Sequence, residues 1–176
     1  MYSQMIIVKP TLVNTSIIIS EDVFPKLHSL FVSNDCKFGL SFPAYTYNKH
    51  GELGNIIEVL CEDKESLYKL DLTSVFKDIE DIKVMSAINE TNDYVLFRRI
   101  REKNRFDKYV ERFNSRGHKE CGNMRAYIQR HNKNIFSHAY ITVRSSSTRQ
   151  KYNVFLAPTK EKSAEFNSYG LVKKPG

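Results

Sequence analysis

The sequence is poor in the features that build disulfide frameworks, metal centres and membrane spans. Its three cysteines are Cys36, Cys61 and Cys121, an odd number without metal-site spacing, and its five histidines are scattered. It has no run of about 18 apolar residues, and its first residues lack the pattern of a signal peptide. We therefore expect free thiols, a cytoplasmic location, no membrane partner, no cofactor and no structural or catalytic metal.

Arginine is absent from residues 1–97, and all ten arginines lie between Arg98 and Arg149. Residues 1–92 carry 8 lysines against 13 acidic residues, a balance of −5. Residues 93–176 carry 19 basic against 7 acidic residues, a balance of +12. Because the guanidinium group matches the geometry of phosphate, this asymmetry predicts that the second half of the chain binds a polyanion.

A basic helix is predicted within this arginine-rich half. Asn104 is a good N-cap, Asp107 follows it in the manner of a capping box, and Gly117 is a natural stop. Five cations spaced three or four residues apart share one face of such a helix: Arg101, Arg105, Lys108, Arg112 and Arg116. A solvated charged helix is the alternative. The small number of acids among these cations favours nucleic acid binding.

The order of the predicted elements indicates an α+β fold. In residues 1–90 they are strand 5–19, either continuous or interrupted at Lys9-Pro10, a helix opened by Ser20, strands 36–42 and 55–61, helix 64–76 and strand 82–88. This β-α-β-β-α-β order is that of a ferredoxin-like (RRM-like) domain. After a polar linker at residues 89–93, residues 94–176 are predicted to form a C-terminal α/β domain that contains the arginine-rich helix and binds nucleic acid.

The rest of this second domain has weaker patterns. Its other predicted elements are an extended stretch at 94–100, a helix at 120–129, strands at 139–143 and 152–156, and a last short strand at 166–171.

Four consecutive hydroxyl residues, Ser145 to Thr148, stand between cations where two predicted strands meet. Backbone and hydroxyl donors in such a segment suit a phosphate, which makes Arg144, Ser147 and Thr148 candidate phosphate ligands beside Ser145. A polar hairpin turn is an equally good interpretation. His28 on the first helix is also ambiguous, because an isolated histidine is more often structural than catalytic.

Several short segments, taken in order, resemble one protein family. They are the stretch from Leu12, Lys26-Leu27-His28, Gly39-Leu40-Ser41-Phe42-Pro43, Val143-Arg144-Ser145 through Tyr152, and Ser168-Tyr169-Gly170-Leu171. Along nearly its whole length the chain is similar to the CRISPR repeat-cleaving endoribonucleases of subtype I-F, the Csy-type Cas proteins. The resemblance implies a ferredoxin-like N-terminal domain and a C-terminal domain with an arginine-rich helix. It also implies metal-independent cleavage of precursor CRISPR RNA at the base of a repeat hairpin, with retention of the product.

The resemblance assigns the catalytic residues. The family's histidine falls on His28, its active-site serine on Ser145 and its active-site tyrosine on Tyr169. The nucleophile in such a reaction is the RNA's own 2′-hydroxyl, and an imidazole suits the base because it titrates near neutral pH. The expected products are a 2′,3′-cyclic phosphate and a 5′-hydroxyl.

The resemblance also assigns contacts to the RNA stem-loop. An aromatic side chain that stacks under the last base pair falls on Tyr152, two groove readers fall on Arg99 and Arg101, and backbone contacts fall on Arg112 and Arg116. The second reader is commonly glutamine, which suits adenine, whereas Arg101 suits guanine. Other Cas subunits of a type I-F effector complex are the expected protein partners.

Two other functions are compatible with the residues alone. One is a catalytically inactive module that binds RNA hairpins. The other is a basic protein that binds DNA or associates with the ribosome. Cutting of a hairpin in EDTA distinguishes the enzyme from the first, and a comparison of RNA and DNA hairpins distinguishes it from the second.

Overall fold

The computed structural model describes residues 1–10, 14–35, 37–46, 52–100, 138–145, 148–160 and 165–173. In these ranges the fold is α+β, with a mostly antiparallel sheet and few helices. Strands β1 to β8 span Tyr2–Val8, Gly39–Ser41, Ile56–Cys61, Ile82–Val84, Asn89–Glu90, Leu96–Ile100, Tyr140–Arg144 and Lys151–Thr159. Helices α1 to α4 span Thr15–Ile18, Phe24–Ser33, Lys64–Lys69 and Leu72–Phe76, and a π-helical turn at Ile19–Val23 joins α1 to α2.

The sheet runs in the order β4-β1-β3-β2-β6-β8-β7, and β5 pairs with β1 beside β4. Every neighbouring pair on this path is antiparallel. A single residue pair, Ser41 with Leu96, connects β2 to β6. Strands from both sides of the predicted linker therefore belong to one sheet, and the division into domains 1–90 and 94–176 stays a prediction.

The C-terminal segment, residues 165–173, connects β2 and β6 beyond their single pair. The Leu40 amide of β2 donates to the Gly170 carbonyl at 2.8 Å, and the Val172 amide donates to the Phe97 carbonyl of β6 at 2.9 Å. Val172 also forms a parallel bridge with Arg98. The segment thus bonds to β2 through Gly170 and to β6 through Val172.

The first predicted strand is wrong in its second half. β1 ends at Val8, and helix α1 begins at Thr15. The side-chain oxygen of Asn14 accepts from the Ser16 amide at 3.0 Å, which is the contact of a helix N-cap. This cap overrides the β propensity of the threonine and isoleucines that follow it, because propensity is a weaker preference than a satisfied helix end.

The helix that contains His28 starts earlier than predicted and includes a π-helical turn. Ser20 does not open it but lies inside that turn, where the Phe24 amide donates to the Ile19 carbonyl five residues back. Pro25 has no N–H to donate, and its ring would crowd the carbonyl four residues before it. One wider turn accommodates the proline, and α2 then continues to Ser33.

The predicted helix over 64–76 is two helices. Asp63 caps α3 by accepting from the Glu65 and Ser66 amides, and α3 ends at Lys69. Asp71 then adopts a left-handed conformation with φ 44°, and its side chain accepts from the Ser74 amide to cap α4. A left-handed residue cannot continue a helix, so the chain turns at this point.

The other predicted strands are present with adjusted ends, except the last. The stretch 94–100 contains β6, and the strands at 139–143 and 152–156 correspond to β7 and β8. The predicted strand at 166–171 is wrong, because Phe166 and Val172 form only an isolated bridge around a turn.

The apolar face of α2 packs inward, since Phe24, Leu27 and Phe31 are buried in the main core. A smaller core cluster joins Leu60, Leu96, Phe166 and Val172. Cys61 is a buried free thiol whose pKa is raised by burial. Among the described helices, none has both the length and the apolarity to cross a membrane.

Many predicted RNA contacts fall outside the described residues. They are Arg101, Arg105, Lys108, Arg112, Arg116 and Ser147, together with the helix expected between Asn104 and Gly117. The predicted helix at 120–129 also lies outside them.

Candidate active site

His28 lies half-buried on α2, and its Nδ1 is 2.7 Å from the carbonyl oxygen of Ser168. A carbonyl oxygen can only accept a hydrogen bond, so Nδ1 carries the proton and donates it. In the neutral imidazole, Nε2 then holds the lone pair. This tautomer leaves Nε2 able to accept a proton from a substrate.

Tyr169 stacks against the His28 ring. Their ring centroids are 4.5 Å apart with an interplanar angle of 15°. Phe24, one helical turn before His28, is also parallel to the Tyr169 ring, with centroids 5.7 Å apart at 2°. Two ring contacts and one hydrogen bond from the C-terminal segment therefore hold the helix face that presents the imidazole.

The Tyr169 hydroxyl lies 3.0 Å from the Tyr152 hydroxyl of β8. Burial, followed by this hydrogen bond, raises the pKa of Tyr169 to about 12. Tyr169 therefore keeps its proton at neutral pH and can orient neighbouring groups, but it is a poor base. The exposed Arg99 places its guanidinium carbon 5.8 Å from the centroid of the Tyr152 ring, within cation–π range.

A compact turn positions Ser168 and Tyr169. The side-chain oxygen of Asn167 accepts from the Tyr169 amide at 2.8 Å and from the Leu171 amide at 3.2 Å. Gly170 has φ 68°, a left-handed conformation that suits glycine. A Cβ on Gly170 would also lie 2.7 Å from Leu40 and 2.8 Å from Phe31. Glycine is required here on both grounds.

Ser145 lies in the hairpin between β7 and β8, which agrees with the interpretation of this segment as a turn. Its amide donates to the Gln150 carbonyl at 2.9 Å, and its hydroxyl accepts from the Thr148 amide at 3.2 Å. Arg144 and Thr148 are exposed beside it. Two hydrogen bonds thus fix the backbone at Ser145 in the segment that is predicted to bind phosphate. The role of this segment toward RNA stays a prediction.

Two polar contacts attach this hairpin to the helical segment that carries His28. The Thr142 amide of β7 donates to the Ser20 hydroxyl at 3.1 Å. Lys151, at the start of β8, forms an ion pair with Glu21 at 3.0 Å. Both contacts are on the π-helical turn that precedes α2.

Direct contacts therefore join His28, Tyr169, Tyr152 and Arg99 into one cluster. The approach of Ser145 to His28 stays a prediction. Within the described ranges, no group of three or more His, Cys, Asp or Glu side chains could hold a metal ion.

Sequence reasoning missed three groups of this cluster. Phe24 is not among the predicted site residues, although its spacing of four residues from His28 places both on one helix face. The Ser168 carbonyl has no side-chain pattern that could reveal it. Asn167 could have been found, because asparagine commonly closes a turn by accepting from amides two or more residues ahead.

A comparison with protein families identifies the chain. Residues 4–175 match the sequence model of the family described as CRISPR-associated protein (Cas_Csy4). The chain belongs to the Cas_Csy4 family. No match to it was found among the curated proteins.

Cas_Csy4 proteins are the CRISPR-associated endoribonucleases of type I-F, so the predicted resemblance is confirmed. Membership in Cas_Csy4 makes the chain a ribonuclease that processes CRISPR repeats and binds CRISPR RNA. The roles of individual residues remain proposals, which the geometry of the cluster can support.

Proposed function

We propose that the chain is a metal-independent endoribonuclease that binds the stem-loop of a CRISPR repeat and cuts at the base of the hairpin. His28 is the general base, Tyr169 orients it, and Ser145 holds the attacking 2′-hydroxyl in line. The proposal includes a ferredoxin-like N-terminal domain, for which the antiparallel order β4-β1-β3-β2 is the support.

The reaction proposed is an internal transesterification. Nε2 of His28 takes the proton of the 2′-hydroxyl, the 2′-oxygen forms a bond to the adjacent phosphorus, and the bond from phosphorus to the 5′-oxygen breaks. The 5′-oxygen leaves as a hydroxyl after taking a proton from water or from a nearby cation. The products are a 2′,3′-cyclic phosphate and a 5′-hydroxyl.

The hydrogen bond from His28 Nδ1 to the Ser168 carbonyl is the observation that carries this proposal. It puts the lone pair on Nε2 before substrate arrives, which is the protonation state that a base needs. The neutral Tyr169 ring stacked on the imidazole restricts its rotation. Positioning of this kind can supply much of the rate of an enzyme that makes a single cut.

RNA recognition is proposed to divide between residues that contact the bases of the stem and residues that hold its phosphates. Tyr152 stacks under the last base pair of the stem, and Arg99 and Arg101 read the groove. Cationic and hydroxyl residues hold the phosphates: Arg105, Lys108, Arg112, Arg116, Arg144, Ser147 and Thr148. The balance of +12 in residues 93–176 supports retention of the product. The chain is proposed to stay bound to that product within a type I-F effector complex with other Cas subunits.

The test is the cleavage of a repeat hairpin in EDTA by the wild type and by His28→Ala. We expect the wild type to cut and His28→Ala to bind with similar affinity but not to cut, because His28 lies outside the basic half of the chain. A 2′-deoxy substitution upstream of the cut should block cleavage by the wild type. A strict requirement for magnesium, or normal cutting of the deoxy substrate, would contradict the mechanism. Tight binding without any cutting would instead support the inactive RNA-binding module.

A further inference from the structure

We propose that Asn167 is a positioning residue for the cleavage reaction, which fixes the tautomer and the orientation of His28 through the peptide group between Ser168 and Tyr169. The inference rests on the proposed role of His28 as the base. Asn167 does not contact the reacting atoms in this proposal and acts only through its neighbours.

Asn167 closes the turn that faces His28 with four hydrogen bonds. Its side-chain oxygen accepts from the amides of Tyr169 at 2.8 Å and Leu171 at 3.2 Å. Its backbone carbonyl accepts from the Gly170 amide at 2.9 Å, and its own amide donates to the Leu171 carbonyl at 2.9 Å. The side chain thus reinforces a turn that the backbone already closes.

The decisive feature is that a single peptide group contacts both Asn167 and His28. The Tyr169 N–H, which Asn167 holds, and the Ser168 C=O, which accepts from His28 Nδ1 at 2.7 Å, belong to the same planar unit. Any rotation of that plane that breaks the bond to Asn167 also swings the Ser168 oxygen away from the imidazole. A hydrogen bond at the N–H also polarises the carbonyl and strengthens it as an acceptor.

The tautomer of His28 depends on that acceptor. A neutral imidazole can carry its proton on either nitrogen, and the hydrogen bond made by one nitrogen decides which is protonated. If the Ser168 oxygen turns away, a fraction of the molecules carries the proton on Nε2. Those molecules have no lone pair there and cannot accept the proton of the 2′-hydroxyl.

The same turn sets the orientation of the ring. Tyr169 follows the clamped peptide directly, and its ring lies 4.5 Å from that of His28 between centroids. Loss of the Asn167 contact therefore loosens both restraints on His28 together. Substitution of Tyr169 alone would remove only the stacking.

The test compares Asn167→Ala with Asn167→Asp, which keeps a side-chain oxygen that can accept from both amides. Ser29→Ala, on the exposed part of α2, serves as the control. Two properties are measured in each protein. One is the tautomer of His28 in the free protein, read from the NMR chemical shifts of its ring nitrogens at a pH where the ring is neutral. The signals are assigned by their loss in His28→Gln. The other is the single-turnover cleavage of a repeat hairpin at saturating protein, with affinity measured on the 2′-deoxy hairpin.

We expect the wild type, Asn167→Asp and Ser29→Ala to show the Nδ1–H tautomer alone. Asn167→Ala should show a mixture of tautomers and cut roughly ten- to a hundred-fold more slowly, the scale of a misplaced catalytic group. Its affinity should be unchanged, and Asn167→Asp should recover most of the rate.

The inference is overturned if the wild type carries its proton on Nε2, or if Asn167→Ala keeps the pure Nδ1–H form. It is also overturned if Asn167→Asp is folded but as slow as Asn167→Ala. Failure of the proposed function has a different pattern. In that case His28→Gln would cut normally, while the Asn167 substitutions would still change the tautomer of His28.

Discussion

At the scale of single residues, Tyr152 combines two proposed roles because its hydroxyl contacts that of Tyr169. Tyr152 is the proposed stacking platform for the RNA stem, yet its hydroxyl is 3.0 Å from that of the tyrosine that packs on His28. The proposed sensor of the duplex end is thus hydrogen-bonded to the tyrosine that is proposed to orient the base. Tyr152→Phe would retain the platform and remove this connection.

The raised pKa of Tyr169 predicts a loss of stability at high pH. Because burial and the Tyr152 hydroxyl raise this pKa from 10.0 to about 12, the folded state favours the neutral phenol more than the unfolded state does. The stabilisation is complete below pH 10 and is lost as the pH rises toward about 12. Urea unfolding at pH 9 and pH 11 should show this drop in the free energy of unfolding in the wild type.

Two variants control this measurement. Tyr169→Phe should show a smaller drop, since it has no phenol to ionise at that position. Tyr152→Phe should retain part of the drop, because burial is the larger cause of the shift. An equal drop in the wild type and in Tyr169→Phe would contradict the assignment.

At the scale of elements, the packing of Phe166 on β2 connects the core to the candidate active site. A Cβ added at Gly39 would lie 2.6 Å from two atoms of the Phe166 ring. Phe166 directly precedes Asn167 and the turn that faces His28. The strand β2 can therefore approach the C-terminal segment closely only because residue 39 has no side chain.

Gly39→Ala should displace Phe166 and lower the free energy of unfolding by about 1–3 kcal/mol, the usual cost of overpacking. Cleavage should slow more than this loss of folded protein explains, because the turn at 167–171 moves with Phe166. Urea denaturation and single-turnover cleavage measure the two effects.

The cause can be isolated with a double-mutant cycle. In a Phe166→Ala background, Gly39→Ala should cost much less, since the clashing ring is gone. Additive costs for the two substitutions would show that the clash is not the reason.

The elements also show where sequence reasoning succeeds and where it stops. The apolar face of α2 and the strands β7 and β8 follow from local periodicity, which the sequence displays directly. The caps at Asn14 and Asp71 were missed, because each depends on one side chain meeting an amide two or three residues away. The contact of His28 with Ser168 spans 140 residues, so no local pattern could reveal it. Only the resemblance brought His28 and Tyr169 together.

At the scale of the whole molecule, charge separates the proposed base, His28, from the proposed RNA contacts. The proposed base lies in a half with a balance of −5, and the proposed RNA contacts lie in a half with a balance of +12. Substitutions at the base should therefore change the rate more than the affinity. Substitutions among the arginines should change the affinity and its dependence on salt.

Arg112→Ala and Arg116→Ala should weaken binding to all RNA hairpins about equally. Each should reduce the slope of log affinity against log salt by roughly 0.7–0.9 per lost phosphate contact. Arg99→Ala should instead lower affinity for the cognate stem by about 1–3 kcal/mol and leave the slope closer to that of the wild type. Binding to cognate and scrambled stems at several salt concentrations measures both quantities. Equal changes in slope and selectivity for Arg99→Ala and Arg112→Ala would contradict this division.

The connection of β2 and β6 by residues 165–173 has a consequence for protein synthesis. His28 leaves the ribosome early, but Ser168, whose carbonyl accepts from its Nδ1, is translated 140 residues later, and Tyr169 directly follows it. A nascent chain, or a fragment from a broken message that stops before residue 165, carries the imidazole without these partners. Such a fragment also lacks the backbone bonds from Gly170 to Leu40 and from Val172 to Phe97. If His28 is the base as proposed, we expect such incomplete translation products not to cut RNA.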